Sequence, residues 1–163
     1  HPEFLSKGGR LSLGCDTENA GDNKDLLSTA RLFSGLMQEA KLELDKPASH
    51  YALELITISG AEALGLKEEI GSLETGKRAD VVLIDTSGPS WQPSAPDPVM
   101  QLIWGANSSD IDSVVAQGKI IVENKKCKTL DELALASEAK ARQENLLKSA
   151  GLKPTSYWPI TNY

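Results

Sequence analysis

Histidine is scarce in this sequence: His1 and His50 are the two it has, and they form no His-x-His pair. Such a chain cannot draw a catalytic zinc site from imidazoles alone, because that metal takes at least three protein ligands. Cysteine is equally sparse. Cys15 and Cys127 lie far apart and match no Cys-x-x-Cys spacing, which excludes a disulfide framework and fits two reduced thiols in a cytoplasmic protein. Long apolar runs are missing too. Stretches such as Val81-Val82-Leu83-Ile84 fall far short of the roughly 20 residues of a membrane helix. Excess positive charge is absent: the net charge is −6 and the basic clusters are the short pairs Lys77-Arg78 and Lys125-Lys126. Nucleic acid and anionic membranes are therefore poor partners.

What is present suits a folded domain, with 40% hydrophobic and 25% charged residues. Leu11 to Cys15, preceded by Gly8-Gly9, reads as a buried parallel strand ending in the polar loop Asp16-Thr17-Glu18-Asn19-Ala20-Gly21-Asp22-Asn23. Helical spacing follows, with Leu26, Ala30, Phe33, Met37 and Ala40 on one face and Asp22, Asn23 or Asp25 as the cap. Pro47 opens a second helix carrying Ala52, Ile56, Gly60 and Ala63 and closing at Gly65.

Ala79 to Asp85 reads as a buried strand, and an extended loop with Pro89, Pro93, Pro96 and Pro98 follows it. Pro98 to Trp104 fits a short helix or a strand. Ile111 to Ala116 and Lys119 to Val122 flank Gln117-Gly118 as a hairpin. Thr129 and Glu132 have the spacing of a capping box for a helix reaching about Ala150, which Gly151 and Pro154 end. Tyr157, Trp158 and Tyr163 give an aromatic terminus. The opening His1-Pro2-Glu3-Phe4 reads as the middle of a longer polypeptide.

Pro2 to Asp16, with Gly8-Gly9 and the ending Leu13-Gly14-Cys15-Asp16, resembles the amidohydrolase-superfamily pattern of a helix, a Gly and the eighth barrel strand ending in Gly-Thr-Asp, Cys15 standing where that family usually has Thr. Ile58 to Leu66 looks like the helix after that strand. The segment Ile70-Gly71-Ser72-Leu73-Glu74-Thr75-Gly76-Lys77-Arg78-Ala79-Asp80, running on to Asp85, is similar to the family's return into a small β-sandwich. Within the superfamily the pattern looks most like methylthioadenosine/S-adenosylhomocysteine deaminases and chlorotriazine hydrolases.

The resemblance implies an α/β fold: the last strand-helix unit of a (β/α)₈ TIM-like barrel, strands of a small β-sandwich and a C-terminal helix. The implied division is residues 1–66 for the end of the barrel, 67–128 for the sandwich portion and 129–163 for the helix and tail. It implies a hydrolase acting on C–N or similar bonds of amino-substituted nitrogen heterocycles, with a divalent metal, zinc or iron. Asp16 is the implied catalytic residue and metal contact, at the barrel mouth where such reactions occur. No substrate-binding residue is assigned.

Other residues read more plainly. Asn19, Asp22 and Asn23 suit loop and cap positions, Glu18 has no spacing that supports a role as an acid, and His50 suits a surface or capping role. Cys15 reads as a packed thiol, and Trp91 and Trp104 as anchors. The chain alone is expected to bind no metal and to be inactive. It is expected to associate with itself or with the rest of the enzyme, burying Leu26, Phe33 and Met37 and pairing the strand Leu11 to Cys15. The alternative is a free-standing, non-catalytic α/β binding or structural domain of the same ancestry.

Overall fold

The computed structural model describes residues 4, 7–16, 24–40, 44–153 and 158. His1, the loop residues Glu18, Asn19, Asp22 and Asn23, and Pro154, Tyr157 and Tyr163 lie outside the described residues. The chain divides into two compact units, His1–Lys126 and Cys127–Tyr163.

In the first unit, helix α1 (Leu26–Glu39) begins where Asp25 accepts the amides of Leu27 at 2.9 Å and Ser28 at 3.3 Å. This carboxylate satisfies two of the amides a helix start leaves without partners. Its inward face buries Ala30 and Ser34. Leu26, Phe33 and Met37 are half-buried within the chain, and the exposed large hydrophobic residues of α1 are Leu32 and Leu36.

The single helix expected after Pro47 is two, α2 (Ala48–Leu55) and α3 (Ile58–Ala63). The β-branched run Ile56-Thr57-Ile58 disfavours a continuous helix, and the Thr57 hydroxyl donates back to the Leu53 carbonyl at 2.6 Å. α3 closes at Gly65, where the Leu66 amide reaches the Ala61 carbonyl at 2.8 Å. Gly71, with φ +92°, passes so close to α3 that a Cβ there would stand 2.8 Å from the Ala61 Cβ. No larger residue fits that approach.

Helix α4 (Pro98–Gly105) settles the helix-or-strand alternative: Asp97 caps it through the amides of Val99 at 2.9 Å and Met100 at 3.1 Å, with Pro98 at its first position. At its other end Arg31 of α1 donates from Nε to the Ile103 carbonyl at 2.9 Å and from its guanidinium to the Ala106 carbonyl. A cation at the negative end of a helix dipole is favourable. The core is small and tight: Ala30, Ala52 and Ile103 are fully buried, with Leu13, Phe33, Leu53 and Ile56 packed around them.

The sheet has four strands in the order β1-β2-β3-β4: Val81–Ile84, Ile111–Ala116, Lys119–Glu123 and Lys126–Cys127. β1 pairs antiparallel with β2, and β2 with β3. The hairpin turns at Gln117-Gly118 with φ of 51° and 76°, both left-handed, as a two-residue turn requires. Strand β1 is shorter than Ala79 to Asp85 and is not wholly buried, since Val82 and Leu83 are 54% and 48% exposed. Pairing in a sheet satisfies a strand's edge and leaves its faces for other layers to cover.

Asp85, at the end of β1, accepts the Ser87 hydroxyl at 2.6 Å, the Ser87 amide at 3.0 Å and the Lys125 ammonium at 3.2 Å. The Ser87 hydroxyl is the main reason its pKa falls to about 2. A carboxylate depressed on folding stabilises the fold above its unfolded value near 3.9, and that contribution is lost as pH falls through the folded value. An NMR titration of the Asp85 side chain is expected to give a midpoint near 2. A midpoint near 4 would mean that these bonds do not hold in solution.

In the second unit, helix α5 (Glu132–Ser149) starts at Asp131, which accepts the amides of Leu133 at 3.1 Å and Ala134 at 3.0 Å. This corrects the Thr129 capping box. Thr129 lies instead beside the Cys127 thiol, 3.3 Å away, and its hydroxyl is the main cause lowering that thiol's pKa. Trp158 is exposed.

Candidate functional site

Asp16 ends a segment whose exposure alternates residue by residue. Leu11, Leu13 and Cys15 are half-buried, while Ser12, Gly14 and Asp16 are exposed. A period of two is the signature of extended backbone with two distinct faces. The buried face is tied down. Leu13 packs on the Ala30–Ala52–Ile103 core and its amide donates to the Leu55 carbonyl at 3.3 Å, while the Cys15 sulfur stands 3.6 Å from the Thr29 hydroxyl.

The expected parallel strand does not appear as one: residues 9–16 belong to no sheet among the described residues. A strand exists only through a neighbour about 4.8 Å away that completes its ladder, and Leu13 bonds to the end of α2 instead. At Asp16 the backbone turns to φ 59°, a left-handed conformation that Asp tolerates better than most residues.

The other sequence candidates go elsewhere. His50 lies in α2 with Nε2 3.6 Å from the Asp97 carboxylate that caps α4, so it faces the start of that helix. The thiols of Cys15 and Cys127 are free. Trp91 is buried as an anchor, its Nε1 3.4 Å from the Asp110 carboxylate, whereas Trp104 is 38% exposed beside Gly35.

The glycine-rich motif from Ile70 to Asp85 turns out to be architectural. Asp80 accepts the Gln117 amide at 2.6 Å and the Ala79 carbonyl accepts the Gly118 amide at 3.0 Å, which clamps the hairpin turn against the start of β1. Lys77 reaches the Ser72 hydroxyl at 2.6 Å and Glu74 at 3.2 Å. Its charges serve the turn.

Two residues that sequence reading passed over make long-range ties, Thr29 to Cys15 and Arg31 to the end of α4. Arg31 left a signal, a charge beside the inward-facing Ala30, which demands polar partners when half-buried. Thr29 left none.

A cleft of about 440 Å³ lies at the far end of the segment from Asp16, lined by Arg10, Leu11, Tyr51, Ser59 and Glu62 among others. Arg10 donates there to the Glu62 carbonyl at 3.3 Å, and burial raises the Tyr51 hydroxyl pKa. A second, largely apolar cleft, also of about 440 Å³, runs between Leu27, Leu53, Ile56, Val82, Ile84 and Leu102. Among the described residues no group of three or more His, Cys, Asp or Glu side chains is placed to hold a metal ion. The donors described here therefore do not by themselves fit a zinc or iron site.

Residues 1–121 match the model of the Amidohydrolase family. The 5-methylthioadenosine/S-adenosylhomocysteine deaminase of Moorella thermoacetica is 36% identical over 129 residues, 79% of this chain and 30% of that protein. Among solved structures, an adenosine deaminase from Xanthomonas campestris with bound zinc superposes with a TM-score of 0.82 at 26% identity, covering 89% of this chain and 33% of that one. Atrazine chlorohydrolase from Arthrobacter aurescens, complexed with zinc, gives a TM-score of 0.73 at 26% identity over 85% of this chain and 31% of that one. The chain spans about a third of the length of the curated relatives it matches.

Proposed function

The chain belongs to the amidohydrolase family, and from that membership we propose that it is the C-terminal part of a metal-dependent hydrolase with a (β/α)₈ barrel. Its reaction would be hydrolysis of a C–N bond, or of a comparable leaving group, on an amino-substituted nitrogen heterocycle. Residues 1–66 would complete the barrel, 67–128 contribute to a β-sandwich and 129–163 form an appended helix and tail. The relatives named as deaminases and the chlorohydrolase support the substrate class. A purine 6-amino carbon and a chlorotriazine carbon share one chemistry, an electron-poor ring carbon beside ring nitrogen that carries a leaving group.

One observation carries the site: Asp16 is exposed at the end of the two-faced segment, at a left-handed turn directly after the ties that hold Leu13 and Cys15 to the helices. On this reading its carboxylate accepts a proton from the water that attacks the ring carbon and returns it to the departing nitrogen. A divalent metal, zinc or iron, supplies a water acidic enough for attack near neutral pH when bound. Asp16 would be one donor to it, and the other donors would come from the two thirds of the relatives' length that this chain does not span. The small-molecule substrate and the remainder of the enzyme are the partners so implied. Two free thiols accord with a cytoplasmic enzyme, and no described helix is long and apolar enough to cross a membrane.

Ammonia release from 5′-methylthioadenosine tests the proposal. The full polypeptide containing these residues, loaded with zinc, is expected to release ammonia, and the isolated chain to stay at the uncatalysed background with or without zinc. Turnover by the isolated chain that Asp16→Ala abolishes would place a complete site here. A full polypeptide inert on adenosine derivatives and on triazines alike would overturn the assignment.

A further inference from the structure

We propose that Thr29 is a positioning residue for Asp16, acting through a directed hydrogen bond from the Cys15 thiol. The inference rests on the reading of Asp16 given above and adds a tie that fixes the backbone leading into it.

Thr29 lies one turn inside α1. Its hydroxyl donates to the Asp25 carbonyl at 3.3 Å and stands 3.6 Å from the Cys15 sulfur. A hydroxyl has a single proton to give. With that proton committed to Asp25, the bond to Cys15 runs one way, from the thiol S–H to the Thr29 oxygen. The acceptor is itself fixed. Asp25 caps the helix through two amides and also takes the Ser28 hydroxyl at 2.9 Å, so the residue whose carbonyl receives the Thr29 proton is held by several bonds.

Cys15 is the last residue before the turn to φ 59° at Asp16. Together with Leu13, whose amide holds the Leu55 carbonyl, it is the second of two ties on the same face of the segment. Pinning residue 15 toward α1 fixes the peptide plane from which the left-handed turn at Asp16 departs, and so fixes where that turn places the residue. The second tie holds the backbone one residue before Asp16, just where the chain reverses, so losing it lets the entry to that turn shift. Misplacing a reacting group by about 1 Å costs on the order of a hundredfold in rate.

Steady-state kinetics of ammonia release by the zinc-loaded full polypeptide, with 5′-methylthioadenosine as the probe, tests this. Thr29→Val keeps the shape and removes the acceptor, and is expected to lower kcat by about ten- to a hundredfold with KM changed less than about twofold. Thr29→Ser should restore kcat to within about threefold of the unaltered protein, because the hydroxyl returns. Cys15→Ala reads the same bond from its other side and should resemble Thr29→Val, with Cys15→Ser the corresponding rescue. Asp16→Asn separates the two levels of inference. If it loses activity while Thr29→Val keeps full kcat, the positioning role is overturned and the function stands. If Asp16→Asn is fully active, the reading of Asp16 falls and this proposal with it. A Thr29→Ser variant as impaired as Thr29→Val also overturns the proposal, because packing and not the hydroxyl would then be what matters.

Discussion

Asp16→Asn in the zinc-loaded full polypeptide is expected to lower kcat for ammonia release by about 10²- to 10⁴-fold, the range over which a positioned general base acts. The substitution isolates charge from backbone. Asn shares with Asp the ability to adopt left-handed backbone, so the φ of 59° at this position carries little added strain, and the side chain keeps its size. What disappears is the oxygen able to take and return a proton. Asp16→Ala would be a less clean test, because it removes the carboxylate and leaves a residue poorly suited to that φ. Rates compared at saturating substrate, with circular dichroism confirming an unchanged fold, decide the matter. Activity within about twofold of the unaltered protein would remove Asp16 from the proton path.

The second large effect concerns the platform beneath the site. Ile103→Ala is expected to destabilise the chain by about 2–5 kcal/mol, through lost transfer free energy and the cavity left behind. Ile103 is fully buried among Ala30 and Ala52, which are too short to swing into the space. Its carbonyl is also one of the two that Arg31 holds, so its backbone is fixed and resists collapse around the smaller side chain. A thermal melt of the isolated chain should fall by about 5–15 °C. Met100→Ala on the same helix is the control: Met100 is 44% exposed, and removing it should cost less than about 1 kcal/mol. Equal losses for the two would mean that α4 is not held by the face that carries Ile103.

Helix α1 was legible from its spacing because Leu26, Ala30, Phe33 and Met37 repeat at three and four residues, and the cap candidate Asp25 stands immediately before it. The hairpin was legible because two left-handed residues in a row call for a turn such as Gln117-Gly118. The break at Thr57 was hidden. Apolar periodicity runs straight through it, and the β-branched run that opposes the helix there weighs less in a pattern than in the backbone.

For the site, the sequence by itself determined that a carboxylate ends an apolar segment and precedes a polar loop, since both are matters of adjacent residues. Its family likeness marked Asp16 among 23 acidic residues. Only the tertiary structure decided which face of that segment is tied and by what. The ties join Leu13 to Leu55 and Cys15 to Thr29, and a separate one joins Arg31 of α1 to the end of α4. Tertiary structure also turned the glycine-rich motif into a clamp on a distant turn, through Asp80 and Gln117. The physical reason is the same in each case. Turns, caps and helical faces follow from torsions and neighbours a few residues apart, whereas a thiol or a guanidinium carries no mark of its partner until folding brings the two within hydrogen-bond distance.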